Sequence, residues 1–153
     1  MPDNFYDPEV CMGFMAYTTN KHLISALHRH MEELGLELTS EQWGLMMQFW
    51  NRGDIAQEEI AKVAGVDKST ASRALRLMEQ KGLITRRTDA VDTRRKILSL
   101  TEQADGIKQD CLKAVQATLN EALTGIDEEE RRICLKVLGR IKHNLQETAK
   151  SHK

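Results

Sequence analysis

The chain has 153 residues and a formal net charge of −1, with 41% hydrophobic and 29% charged residues. This length suffices for one domain with a proper core, and the composition excludes a disordered chain. No apolar run approaches the roughly 18–20 residues of a membrane span, and the acidic N-terminal residues lack the apolar stretch of a secretory signal. Three cysteines without framework spacing favour a reducing compartment. We therefore expect a cytoplasmic protein that is not bound to a membrane.

The charge is unevenly distributed along the chain. Residues 1–54 carry three Lys and Arg against eight Asp and Glu, whereas residues 55–100 carry ten against six. Residues 101–153 are balanced, with nine of each. A local basic surface can neutralise phosphates even on a neutral protein, because the relevant field decays over about 8–10 Å.

The first predicted element is a long amphipathic helix from Pro8 to Leu36, ending at the C-cap candidate Gly35. At about 1.5 Å per residue it would span roughly 40 Å, which is too long for one small domain to bury. We therefore expect it to pack on another chain. Its apolar residues recur at three- and four-residue steps: Val10, Phe14, Tyr17, Ile24, Leu27, Met31 and Leu34.

A second helix is predicted to begin at Thr39 or Ser40. Gln42 stands in capping-box position from Thr39, and Gly53 ends the pattern. The apolar face of this helix contains Trp43, Met46, Met47, Phe49 and Trp50.

A helix-turn-helix pattern follows. A short helix from Ala56 to Ala64 closes at Gly65, and the next helix begins at Asp67 or Ser69. The expected buried stripe of this third helix is Ala71, Leu75 and Met78.

Lys81 to Thr101 reads as a β-hairpin with a charged loop. The β-branched and apolar runs Leu83–Thr85 and Ile97–Leu100 flank a polar tip from Asp89 to Arg95. The segment contains four arginines and two lysines. A basic hairpin directly after a basic helix is typical of a winged-helix domain that grips DNA.

The last third predicts two helices. One runs from Thr101 to Leu123, and the other follows the break at Gly125 with Asp127 as its cap. Polarity predicts fraying of the tail after Glu147. The apolar face of the final helix contains Ile133, Val137, Leu138, Ile141 and Leu145.

The segment Leu77–Ile84, followed by Asp89, Asp92–Arg95 and Leu98–Thr101, resembles the MarR family of bacterial winged helix-turn-helix regulators. The resemblance extends over about residues 8–148. Ala56 departs from it, because the family usually has a capping Ser or Thr there. The implied fold is mainly α with a small β-hairpin wing, in one MarR-like domain over 1–153. Within it, 39–100 would form the DNA-binding lobe, and 8–36 and 101–148 the dimerisation helices.

The resemblance implies a homodimeric transcriptional regulator, expected to be a repressor, that binds an inverted-repeat operator in double-stranded DNA and is released by a small molecule. No phosphate loop, zinc-protease motif or nucleophile elbow predicts an enzyme, and no cofactor is expected. A winged-helix module that binds proteins instead of DNA is the alternative of another class.

DNA contacts are predicted on the third helix and the hairpin. On the helix they are Lys68, Ser69, Thr70, Ser72 and Arg73, with Arg76 at phosphate and Gln57 at the start of the preceding helix. The alternative for Ser69 and Thr70 is simple helix capping.

The resemblance places Arg94 at the wing tip, where the family inserts an arginine into the minor groove. Asp92 would hold Arg94 by a bidentate pair. The residues expected to attract phosphate are Arg86, Arg87, Arg95 and Lys96.

Three regulatory signals remain open. A small ligand would enter a cleft lined by Phe14, Tyr17, Trp43, Met46 and Met47, although most of these side chains also fit plain core packing.

An oxidant would act on Cys11 near a helix N-terminus, whereas Cys111 and Cys134 lie on apolar stripes and are expected to be buried.

A metal is the third option, but His22, His28 and His30 are spaced six and two apart and share no helix face, so no metal site is predicted.

Overall fold

The computed structural model describes residues 7–151, so the outer limits of the predicted domain, at 1 and 153, lie outside the described residues. The chain forms two compact units that divide after Thr118. The elements are α1 (Met12–Glu33), α2 (Ser40–Arg52), β1 (Ile55–Ala56), α3 (Gln57–Ala64), α4 (Lys68–Gln80), β2 (Ile84–Thr88), β3 (Lys96–Leu100), α5 (Glu102–Gly106), α6 (Lys108–Ala122) and α7 (Glu128–Ser151).

The predicted fold class is confirmed, with one strand more than the sequence suggested. The sheet is antiparallel with the order β1-β3-β2. The two residues of β1 pair with β3 through Ile55 opposite Leu98 and Ala56 opposite Ile97. A two-residue strand is too short to show a period-2 pattern, which is why sequence periodicity missed it. Through this pairing, β1 connects the segment directly before α3 to the hairpin.

The helix α1 is shorter at both ends than the predicted Pro8–Leu36. At its N-terminus, the Asp7 carbonyl accepts from the amides of Val10 and Cys11 in a turn that precedes the helix. At its C-terminus, the chain leaves through Gly35 at φ 71°, a left-handed conformation that favours glycine. The Leu36 amide then bonds back to the Met31 carbonyl, as expected for a Schellman-type end.

The predicted N-caps of α2 and α4 are confirmed. The Gln42 amide donates to Thr39 Oγ1 at 3.2 Å while the Thr39 amide donates to Gln42 Oε1 at 3.2 Å, which completes the capping box. Of the two predicted starts of α4, the structure selects Asp67. The helix α3 begins at Gln57, and its N-cap Ala56 makes no side-chain cap bond.

The core of the first unit is built by α2, α3, α4 and the sheet, with the end of α1 packed against it. The predicted stripe of α4 is buried, and Cys111 of α6 joins the core as expected for a structural thiol. The predicted single helix Thr101–Leu123 is interrupted at Ile107, between α5 and α6. The largest of the fully buried side chains are Met31, Gln42, Leu45, Met46, Ile60, Met78, Ile84, Leu98 and Cys111.

The second unit contains α7, which is capped as predicted. The Glu130 amide donates to Asp127 Oδ1 at 2.8 Å, and the Asp127 amide donates to Glu130 Oε2 at 2.9 Å. The helix continues to Ser151, so the expected fraying after Glu147 is wrong. Cys134 is exposed instead of buried, because in the single chain the apolar face of α7 is open to solvent. Its large exposed apolar residues are Ile133, Leu135, Val137, Leu138 and Leu145.

None of the helices within residues 7–151 has the length and apolar character needed to cross a membrane.

Two neighbouring residues of α4 test the core assignment. Met78 is 0% exposed and Leu77 is 39% exposed. Met78→Ala should lower the free energy of unfolding by about 2–5 kcal/mol, because it leaves a cavity in the core. Leu77→Ala, the matched control, should cost less than about 1 kcal/mol. Urea unfolding followed by circular dichroism measures both, and equal losses would contradict the burial pattern.

Candidate nucleic-acid interface

The helix α4 presents a polar face opposite its buried stripe. Most of its predicted DNA-contacting side chains lie on that face and are exposed: Lys68, Ser69, Ser72, Arg73 and Arg76. The sequence therefore places the small hydroxyls and the long basic side chains on one accessible surface near the helix N-terminus, where recognition helices contact base edges.

Thr70 is the exception among the predicted contacts of α4. It is half-buried, its hydroxyl donates to Asp67 Oδ2 at 2.6 Å, and its amide donates to Asp67 Oδ1 at 2.8 Å. These hydrogen bonds from Thr70 hold the pKa of the Asp67 carboxyl below its usual range. Asp67, and neither Ser69 nor Thr70, is therefore the N-cap of α4. Thr70 is the residue that donates to this cap, whereas Ser69 stays exposed.

A cavity of about 400 Å³ lies between α3, α4 and the wing, by which we mean β2, β3 and their connecting loop 89–95. Apolar core side chains such as Ile60 and Leu75 form part of its wall. Its polar lining brings together predicted DNA contacts from three separate elements, and also Glu58, which was not predicted. The predicted residues in the lining are Gln57, Lys68, Ser72, Arg94 and Lys96.

Asp89 shapes the tip of the wing. Its Oδ1 accepts from the amides of Val91 at 2.7 Å and Asp92 at 3.0 Å, and its own amide donates to the Arg95 carbonyl at 3.0 Å. The amides of Asp92 and Val91 hold the pKa of the Asp89 carboxyl below its usual range. The loop spans Asp89–Arg95, as predicted.

Arg94 projects from this tip with 91% of its side chain exposed. Asp92 contacts it, as predicted, but the pair is not bidentate. A single oxygen, Oδ1, accepts from the Arg94 amide at 3.0 Å and from Nε at 3.3 Å. The Asp92 carboxylate therefore orients both the backbone and the side chain of Arg94. The terminal guanidinium nitrogens of Arg94 take no part in this contact.

The other basic residues of the wing are paired within the lobe, which the sequence analysis did not predict. Their partners come from the segment before β1, from α3, from α4 and from β2 itself. The sequence contains one signal of this pairing. The start of α3 is acidic and the hairpin is basic, while the net charge of the chain is close to zero. Arg86 donates to Gln57 and Glu79, Arg87 to Asp54 at 2.8 Å, Arg95 to Glu58 at 2.6 Å and Glu59 at 3.3 Å, and Lys96 to Thr88 at 2.8 Å.

The five residues predicted to line a ligand cleft differ in their exposure in the single chain. Met46 is fully buried and is a core residue, whereas Phe14 and Tyr17 are 48% and 62% exposed. Trp43 and Met47 are half-buried. Trp43 lies 5.9 Å from the ring of Trp50, and Lys108 Nζ lies 5.9 Å from the same Trp50 ring.

The cysteines differ in their environments. Cys11 is half-buried at the N-cap position of α1, as its place in the sequence predicted. Burial raises the pKa of the Cys111 thiol to about 11, so this cysteine stays protonated and unreactive at neutral pH.

A family model and several solved structures match this chain. The MarR family model matches residues 38–96, which cover the helix-turn-helix and most of the wing. The solved structure of the transcriptional regulator PA3341 is 33% identical, with a TM-score of 0.75, and the match covers 88% of this chain and 98% of that one. The chain belongs to the MarR family.

More distant members of the fold support the architecture. A mutant of MarR from E. coli, solved with operator DNA, is 21% identical with a TM-score of 0.80, and the match covers 91% of this chain and 98% of that one. PcaV from Streptomyces coelicolor, solved with its natural ligand, is 18% identical with a TM-score of 0.80, over 90% and 95% of the two chains. At these identities the likeness shows the fold alone.

The Arg87–Asp54 pair makes the stability of the lobe depend on pH. The hydrogen bond from Arg87 holds the pKa of the Asp54 carboxyl below its usual range. The contribution is therefore full above the unfolded-state pKa of about 3.9 and is lost as pH falls through the lower pKa of the folded state. Asp54→Asn and Arg87→Gln should each reduce the loss of unfolding free energy between about pH 6 and pH 2.

Urea unfolding across that pH range measures this difference. Both variants should give a reduced dependence of the unfolding free energy on pH, with the larger reduction in Asp54→Asn, because a hydrogen bond with Ser99 also lowers the pKa of Asp54. A dependence equal to that of wild type in both variants would show that the pair has no effect.

Proposed function

We propose that this chain is a cytoplasmic, homodimeric, sequence-specific transcriptional regulator that represses by binding an inverted repeat in double-stranded DNA and is released by a small molecule. The observation that carries the proposal is the cavity where Lys68 and Ser72 of α4 meet Arg94 and Lys96 of the wing. Two elements that are separate in sequence therefore lie on the same side of the lobe, as simultaneous contact with one DNA duplex requires.

In this proposal α4 lies in the major groove. Arg73 is long enough to donate to guanine O6 and N7, and Ser69 and Ser72 allow close approach and bond bases or phosphates. Lys68 and Arg76 neutralise phosphates. Membership of the MarR family supports this assignment, and a mutant of MarR from E. coli has been solved with operator DNA.

The wing supplies the second contact. Arg94 is the most exposed of the paired wing arginines, at 91%, and lies at the end of a loop that Asp89 and Asp92 hold in shape. A guanidinium suits a narrow A·T-rich minor groove, where the negative potential is enhanced.

A homodimer accounts for the apolar surface that the single chain leaves open. In α7, Leu135 is 60% and Leu145 is 67% exposed, and in α1 Tyr17 is 62% exposed. Contiguous apolar faces of this kind are rare on monomers and mark protein interfaces. A two-fold axis would place two copies of α4 about one DNA turn, roughly 34–36 Å, apart, which fits an inverted repeat.

A small-molecule effector completes the proposal. PcaV, a member of the same fold, was solved with its natural ligand. In this chain Trp43 and Trp50 are half-buried neighbours and Lys108 lies over the Trp50 ring, so the site offers aromatic surface and a positive charge. These residues favour an aromatic anion that contacts α2 and the start of α6.

DNA binding is tested with a duplex from the region that flanks the gene of this protein. Wild-type binding should weaken steeply as salt rises, because phosphate contacts release counterions. Arg94→Ala should bind about tenfold more weakly or worse at matched salt, because a minor-groove contact is lost in each protomer. Fluorescence anisotropy measures both quantities.

Arg132→Ala is the matched control, since Arg132 is another exposed arginine with a local carboxylate partner, Glu129, but lies on α7. It should bind DNA as wild type does. Wild-type protein without salt-dependent DNA affinity would favour the protein-interaction module instead.

Dimerisation is tested on α7. Leu138 lies on the apolar face of α7 and is 49% exposed. The substitution Leu138→Glu would bury a charge at the proposed interface. Sedimentation velocity should then show a shift from dimer to monomer at micromolar concentration. Val91→Glu, at a wing-tip residue that is 97% exposed, is the control and should remain dimeric. A Leu138→Glu protein that stays fully dimeric would place the interface elsewhere.

A further inference from the structure

Arg95 lies where the wing loop returns to β3, and its side chain faces two carboxylates of α3. Its Nε donates to Glu58 Oε1 at 2.6 Å and its Nη2 to Glu59 Oε1 at 3.3 Å. The Arg95 side chain is 41% exposed, compared with 91% for its neighbour Arg94. Two consecutive arginines of the same loop therefore differ in environment: Arg94 is open to solvent, and Arg95 is partly covered and paired with α3.

The main chain of Arg95 also holds the loop together. Its carbonyl accepts from the Asp89 amide at 3.0 Å, and its amide donates to the Asp92 carbonyl at 2.9 Å. The first bond closes the whole tip, and the second closes the turn that contains Arg94. Because the side chain of the same residue reaches α3, Arg95 connects the shape of the tip to the first turn of that helix.

We propose that Arg95 is a positioning residue, which anchors the wing tip to α3 through Glu58 and Glu59 and is kept by these carboxylates from contacting DNA phosphates. This inference rests on the proposed DNA-binding function. It replaces the expectation from sequence that Arg95 attracts phosphate, and it leaves Arg94 as the arginine of the tip that reaches the duplex.

Electrostatics supports this assignment. One guanidinium between two carboxylates leaves the cluster with a net negative charge, which repels phosphate. The Glu58 hydrogen bond raises the pKa of Arg95, and the pKa of Glu58 is held low by its backbone hydrogen bond and by Arg95. Both partners therefore stay ionised at neutral pH. DNA would have to displace two short-range partners to recruit Arg95, whereas Arg94 is already exposed.

The anchor itself is tested without DNA. Amide hydrogen exchange of residues 89–95 should become about two- to fivefold faster in Arg95→Gln and in the double variant Glu58→Gln/Glu59→Gln, the range expected for an exposed ion-pair cluster. Lys113→Gln, which breaks the Asp110–Lys113 pair on α6, is the control and should leave wing exchange unchanged. Wild-type exchange in both wing variants would overturn the anchor.

The salt dependence of operator binding tests whether Arg95 contacts phosphate. Arg95→Gln should bind about two- to fivefold more weakly with an unchanged slope of log K against log salt, because only the positioning of Arg94 is lost. A phosphate contact in each protomer would instead reduce the magnitude of the slope by about 1.8. That reduction would overturn the proposal.

The double variant has the opposite signature. Glu58→Gln/Glu59→Gln releases Arg95, so its slope should become steeper than that of wild type. A slope equal to wild type would show that the carboxylates do not withhold Arg95. If wild-type protein binds no DNA, the proposed function fails and the exclusion of Arg95 from DNA fails with it, whereas the exchange rates still decide whether the wing is anchored.

Discussion

The position of the wing depends on the pairing of β3 with strands on both of its sides. Leu98, fully buried, lies opposite Ile55 of β1 on one side and Arg86 of β2 on the other. The strand β1 leads directly into α3, so the same ladder that forms the hairpin also fixes the entry of the helix-turn-helix.

The second constraint is the balance of charge within the lobe. Three wing arginines are paired with carboxylates from the segment before β1, from α3 and from α4: Asp54 with Arg87, Glu58 and Glu59 with Arg95, and Glu79 with Arg86. Single exposed pairs contribute little stability, but these connect segments that lie far apart in sequence. The basic stretch is therefore partly a set of structural ties, and the cations open to a duplex are concentrated on α4 and at Arg94.

Local sequence patterns predicted much of the fold because the determinants are local. The capping box of Thr39 and Gln42, the cap at Asp67 and the seven-residue loop from Asp89 each involve groups within a few residues of one another. The exposed face of α4 followed from helical periodicity in the same way. The strand β1 and the partners of Arg95 could not be predicted, because each depends on residues tens of positions away.

The sequence by itself determined the order of the elements, their caps and the placement of basic and hydroxyl side chains on α4 and the hairpin, since periodicity and capping act over one or two turns. It also carried the resemblance to the MarR family. The tertiary structure decided which of these charges are exposed: the Arg94 side chain is open to solvent, whereas Arg95, the next residue, is held by α3. That difference arises from packing α3 beside the wing loop, and a linear pattern of two adjacent arginines contains no trace of it.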